Sequence, residues 1–231
     1  MSNYQPMNRT EIAYLVAQHF EDGAVVNLGI GMPTQVGNFL PTDKEILLHS
    51  ENGILGMGRP AVGDEIDGDL INASRTPIVL IPGASICEHT TSFAMMRGGH
   101  LDYSVLGGFQ VAVNGDLANW MTIGPDAIAA IGGAMDLAVG AKSVIVMMDH
   151  VAKDGSPKLL MSCTYPLTGM GVVKHVYTDL AVVDVKNGEF VVRALLEGLS
   201  FDELQAKTGA PLKRADNMSV IKRDSSGKLS F

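Results

Sequence analysis

Cysteine is nearly absent from this chain. Cys87 and Cys163 stand alone with no CxxC pair, which excludes a disulfide framework and fits a reducing compartment. Basic residues are also scarce: Lys and Arg total 17 against 25 Asp and Glu, a net charge of −8. A phosphate backbone demands concentrated positive charge, so nucleic-acid partners are excluded, while a local basic pocket for an anionic substrate is not. No uncharged apolar run reaches membrane-spanning length, and the opening Met1-Ser2-Asn3-Tyr4-Gln5-Pro6 lacks the apolar core of a signal peptide. A cytoplasmic protein without a membrane partner is expected.

Cofactor and metal signatures are missing as well. Gly29-Ile30-Gly31 begins like a dinucleotide fingerprint, but Thr34 stands where the third glycine belongs, so no nicotinamide cofactor is expected. There is no Walker-type phosphate loop and no HExxH sequence. Asp64-Glu65-Ile66-Asp67-Gly68-Asp69 lacks the spacing and closing carboxylate of a calcium loop and reads as a solvated acidic loop. Cys87-Glu88-His89 offers adjacent ligands with no second pair, so no metal site is expected. His49, His100, His150 and His175 are scattered, and spacing assembles no pair of nucleophile and base.

What is present is a chain of 231 residues with 46% hydrophobic content, enough for one substantial core. Residues 8–20 read as an amphipathic helix with Thr10 as N-cap, and 24–28 as a strand entering the Gly29-Ile30-Gly31 turn, where Pro33 starts the next helix. Further apolar strands are expected at 45–49, 78–81, 143–148 and 180–184, separated by helical or glycine-rich connectors. The alternation predicts an α/β fold, one domain over residues 1–212 with a largely parallel sheet flanked by helices. Ser200-Phe201-Asp202-Glu203 is a capping-box pattern, and Gly209 and Pro211 end the short helix it begins. Residues 213–231 are polar and charged, and read as a tail that is mobile or dresses a subunit surface.

The most informative stretch is Leu48-His49-Ser50-Glu51-Asn52-Gly53-Ile54-Leu55-Gly56. It carries an acidic residue from an apolar strand into a glycine-rich turn, and in open sheets ligands collect beyond the carboxyl ends of strands. A carboxylate there, with Gly53 and Gly56 allowing close approach, has the chemistry to attack a thioester carbonyl and form an acyl anhydride. From spacing alone a solvated turn is the better reading. The same holds for Gly132-Gly133, where a glycine pair entering a helix either points free N–H groups at an anion or is only a turn. Arg97 either holds a substrate carboxylate or makes a structural ion pair.

Residues 48–56 resemble the active-site signature of the class I, 3-oxoacid, coenzyme A transferases, in which a Ser-Glu-Asn-Gly core carries the catalytic glutamate. The similarity runs through residues 27–33, 96–102, 115–120 and 132–137, which resemble the second, or B, subunit. The segments 147–150, 163–169 and 177–181 look most like members acting on 3-oxoadipate. The resemblance implies Glu51 as nucleophile, Gly132 and then Gly133 as oxyanion donors, and Asn52, Gly29, Gly31 and Arg97 as substrate-binding candidates. It implies ping-pong transfer from succinyl-CoA to a 3-oxoacid through a glutamyl-CoA thioester, with no cofactor beyond the coenzyme A thioester itself. It also implies an A subunit as partner, in a heterodimer or heterotetramer. Arg59 departs from the pattern, since the family commonly passes from the glycine directly to proline. Acetoacetate or another short acid as acceptor, and a non-catalytic binding module, remain as alternatives.

Overall fold

Asn8 opens the first helix, α1 (Arg9–Ala17): its side chain accepts from the Glu11 N–H, and the Glu11 carboxylate accepts from the Asn8 N–H at 2.7 Å. The cap falls at Asn8 rather than Thr10 because only Asn8 has an acidic residue three positions on to return the bond. The computed structural model describes residues 4–124, 127, 129–224 and 227–230. Ile12, Ala13, Leu15, Val16 and Ala17 form the buried side of α1.

Strands β1 (Val25–Leu28) and β2 (Leu47–Ser50) run parallel, joined through a 3-10 helix at Met32–Phe39 that Pro33 helps to start. The chain then reverses into β3 (Ile54–Pro60) and β4 (Ile78–Ile86), both antiparallel. After helix α2 (His89–Arg97), β5 (Tyr103–Gly107) returns beside β1, and β6 (Gln110–Ala112) and β7 (Leu117–Ala118) leave the main sheet. Helix α3 (Ala134–Gly140) leads into β8 (Ser143–Met147), and β9 (Leu159–Leu160) joins β6 and β7 in a small three-stranded sheet. Then follow β10 (Val173–Tyr177), β11 (Ala181–Lys186), β12 (Glu189–Leu196), helix α4 (Phe201–Ala206), β13 (Leu212–Arg223) and β14 (Leu229–Ser230). The capping box predicted at Ser200 and Glu203 is made in both directions.

Among the described residues the main sheet has eleven strands in the order β14-β13-β12-β11-β10-β8-β5-β1-β2-β3-β4. The α/β reading holds, but parallel pairing is confined to the central run from β2 to β10 and to β12 with β13. The wings are antiparallel, and where a short turn joins neighbours, as between β2 and β3, it permits nothing else, whereas parallel neighbours need a crossover; β3 and β4 pair antiparallel across the longer segment 61–77. Central strands such as β8, with Val144, Ile145, Val146 and Met147 all buried, are covered on both faces.

The expectation of a mobile tail from residue 213 is corrected. β13 pairs with β12, Ile221 and Leu229 are buried, and Arg223 holds Glu11 at 2.6 Å while donating to the carbonyls of Gln5 and Pro6. The alternation of charged and smaller residues that looked like a solvated tail is that of a strand near the sheet edge, where charge discourages further pairing. No helix among the described residues is long and apolar enough to cross a membrane.

Candidate active site

Glu51 is the first residue beyond β2, at the carboxyl end of a central parallel strand. Gly53, at φ +111°, closes the turn by donating its N–H to the Ser50 carbonyl at 3.0 Å. A side chain on Gly53 would strike the carbonyl of Cys87, whose own N–H donates to the Gly53 carbonyl at 2.8 Å. At Gly56, φ +89°, a β-carbon would fall 2.9 Å from the Ala84 Cα. Both glycines thus serve close packing against β4 and the approach to α2, rather than the approach of a substrate.

Beneath Glu51 lies a buried polar chain. Asn27 Nδ2 donates to His49 Nδ1 at 3.0 Å and to the His49 carbonyl at 3.1 Å, and His49 Nε2 meets Ser92 Oγ at 2.9 Å. With Nδ1 accepting, the ring proton sits on Nε2 and is donated to Ser92. Burial lowers the His49 pKa to about 4, so the ring is neutral near pH 7. The chain fixes the end of β2 without placing a charge under the carboxylate.

The Glu51 side chain opens into a cavity of about 430 Å³, within the size range of small-molecule sites. Its apolar wall includes Leu28, Met32, Leu106, Phe109, Met147 and Met148, and its polar groups include Asn27, Asn119, Asp149 and Lys158. Glu51 makes no hydrogen bond among the described residues. Burial raises its pKa above the ordinary value, His89 pulls it down and Asp136 adds to the rise. Across from it runs the loop through Gly132, at φ +47°, and Gly133. A β-carbon on Gly133 would collide with Glu51 Oε2 and lie 3.1 Å from its Cδ. The N–H groups of Gly132 and Gly133 meet no acceptor among the described residues. Backbone N–H groups of this kind beside a carboxylate are donors suited to a developing oxyanion.

Glu51, Gly29, Gly132 and Gly133 all line this cavity. Gly29 contributes no donor, since its N–H is given to the Val105 carbonyl at 2.8 Å; a side chain there would press on that carbonyl. Gly31 sits outside the lining, at φ +93° at the start of the 3-10 helix, where its carbonyl accepts from Thr34. Asn52 is turned away: its Nδ2 donates to the Ile71 carbonyl at 2.7 Å, so it does not stabilise the Glu51 anion here. Arg97 lies outside the cavity and pairs with Asp136 at 2.6 Å, tying α2 to α3 behind Gly133. Its bearing on Glu51 is indirect, through the Asp136 charge. Arg59 pairs with both oxygens of Glu65 at 2.6 and 2.7 Å on the exposed rim of a neighbouring cavity of about 130 Å³. Asn27 and His49 fall within segments that the sequence analysis singled out, but nothing local joins them to Ser92, and Lys158 lies outside every such segment.

The chain belongs to the coenzyme A transferase family, whose profile matches residues 9–207. The B subunit of the 3-oxoadipate CoA-transferase of Acinetobacter baylyi is 53% identical to it over 91% of this chain and 97% of that protein. The B subunit of the succinyl-CoA:3-ketoacid coenzyme A transferase of Helicobacter pylori is 47% identical over 87% of this chain and 97% of that protein. Among solved structures, an acyl-CoA transferase from Escherichia coli O157:H7 superposes with a TM-score of 0.73 at 18% identity. That match covers 96% of this chain and 45% of the larger one, and it establishes the shared fold.

Proposed function

We propose that this chain is the B-type subunit of a 3-oxoacid coenzyme A transferase that moves coenzyme A from succinyl-CoA to 3-oxoadipate, with Glu51 as nucleophile. The observation that carries the reading is the Glu51 carboxylate lying against Gly133 in a cavity where the N–H groups of Gly132 and Gly133 meet no acceptor among the described residues. The carboxylate attacks the thioester carbonyl and expels coenzyme A thiolate, leaving a mixed anhydride. The thiolate then attacks the glutamyl carbonyl, the succinate leaves, and Glu51 carries coenzyme A as a thioester. The incoming 3-oxoacid carboxylate reverses both steps and departs as the coenzyme A ester.

Each tetrahedral intermediate bears an oxyanion, and one preorganised donor in such a site contributes roughly 2.7 to 4 kcal/mol. Gly132 and Gly133 fill that role in this reading. The apolar wall keeps water from the anhydride and thioester. No cofactor beyond the coenzyme A thioester takes part, and the two isolated cysteines fit a cytoplasmic setting. Relatives named as B subunits support assembly with an A subunit, in a heterodimer or a dimer of heterodimers. The higher identity to the relative named for 3-oxoadipate than to the one named for a 3-ketoacid supports 3-oxoadipate as the acceptor.

The test is intact-protein mass spectrometry of the assembled two-subunit complex after brief exposure to succinyl-CoA, with Glu51→Gln as control. A coenzyme A adduct mapped to Glu51 and missing from the control is the expected result. An assembled, donor-binding complex that forms no adduct would overturn the reading and point to a non-catalytic module of the same fold. Turnover of 3-oxoadipate against acetoacetate then decides the acceptor.

A further inference from the structure

Among the described residues lining the Glu51 cavity, one side chain is cationic: Lys158. It stands at the entry to β9, where its carbonyl accepts from the Val111 N–H at 3.0 Å, so the small sheet fixes its backbone. The side chain is half-buried, yet its ammonium group has neither a hydrogen bond nor a carboxylate within 4.0 Å among the described residues. Asp149, also in the lining, and Asp179 exert a field on it without pairing. Asp179 is already engaged, accepting from the His150 N–H at 2.7 Å. Desolvation lowers the Lys158 pKa below the ordinary lysine range.

A half-buried ammonium without a partner carries a desolvation cost that an anion of the right reach removes. The acidic groups of the cavity wall, Glu51 and Asp149, repel an acid substrate. We propose that Lys158 receives a carboxylate of the acid substrate and thereby draws that substrate into the cavity. This rests on the transferase reading above and adds to it a binding residue that the signature does not include. The carboxylate is either the far one of a dicarboxylic acid or the reacting one, and the two differ in which substrates feel the loss of Lys158.

The experiment uses the assembled two-subunit enzyme with Lys158→Met and Lys158→Arg, acetoacetyl-CoA as a donor free of extra charge, and two acceptors, 3-oxoadipate and isotope-labelled acetoacetate. The expected result is a KM for the acid raised roughly 10- to 100-fold in Lys158→Met, the loss associated with one hydrogen bond to a charged group, with partial recovery in Lys158→Arg. A rise confined to 3-oxoadipate assigns the far carboxylate, and a rise shared by acetoacetate assigns the reacting one. In the parent enzyme acid affinity falls as pH climbs through the lowered Lys158 pKa, and in Lys158→Arg this alkaline limb disappears. Unchanged KM for both acids, or an alkaline limb that survives in Lys158→Arg, would overturn the proposal. The Glu51 adduct in the parent enzyme separates the two failures: without it the transferase reading falls, and with it only the role of Lys158 does.

Discussion

The Cα of Gly133 lies against the carboxylate of Glu51, in the space that a methyl group would need. Gly133 itself sits at φ −86° and ψ 7°, a conformation open to any residue, so the demand for glycine here is steric and not conformational. Gly133→Ala should therefore fold and assemble normally while displacing the carboxylate. A shift of about 1 Å in a reacting group costs on the order of 100-fold in rate, and that loss in kcat with unchanged thermal stability is the expected outcome. A fully active Gly133→Ala enzyme would show that Glu51 moves freely and that this contact is incidental.

Glu51 must be ionised to attack, and burial raises its pKa. The rate of adduct formation from acyl-CoA should climb with pH through a value above the ordinary carboxylate range and level off beyond it. The same shift has the opposite sense for stability. In the window between the unfolded and folded pKa values the native state binds the extra proton, so stability falls as pH rises through it. Glu51→Gln should consequently melt higher than the parent at pH 7, with the difference vanishing in acid. Calorimetry across that range reads both limbs.

His19, His49 and His150 are each lowered to about 4, chiefly by burial. Between pH 6.5 and about 4 the unfolded chain takes up protons that the native state refuses, so stability is full above this window and drains away as pH falls through it. Urea unfolding at fixed ionic strength from about pH 7.5 down to about 4.5 should show a falling midpoint. His49→Gln should flatten part of that slope, and an unaltered slope would mean that His49 is not the buried neutral ring described.

Arg223 joins the far end of the chain to its beginning through Glu11 and two carbonyls, with about a quarter of its side chain exposed. Glu11 also caps α1, so its carboxylate serves both contacts. Arg223→Ala should lower unfolding stability by roughly 1.5 to 3 kcal/mol, the range for hydrogen bonds to charged groups. Denaturant titration of the assembled protein measures it, and a change under about 0.5 kcal/mol, the usual size for an unconstrained surface site, would show that the strand at Leu212–Arg223 is held by backbone pairing alone.

Legibility in the sequence followed locality. The turn at Glu51 and the N-terminal cap of α4 are encoded within a few adjacent residues and appeared where the pattern placed them, whereas α4 ends at Ala206 with Lys207 as its C-cap, ahead of the expected Gly209. The contact between Glu51 and Gly133 joins distant segments, and the sequence offers only a glycine pair whose second member has no visible reason to be glycine. Asn52 belongs to the signature, yet its side chain supports the loop at Ile71, a role that no local pattern distinguishes from catalysis. β13 was hidden because strands near a sheet edge carry charge, which in a sequence looks like solvent exposure. Lys158 was hidden for the opposite reason: burial of a lone lysine depends on the strands that close over it, and spacing carries no trace of them.

Met32, Met147 and Met148 supply three unbranched side chains to the cavity wall. Methionine is unbranched and turns about three side-chain bonds, so such a wall re-forms around acyl groups of different length and branching instead of presenting a fixed mould. Discrimination by contour is then shallow, and the enzyme's choice among acids falls to the few polar groups that cannot adapt. New acceptors should be reached by relocating a charge on this wall sooner than by carving its shape.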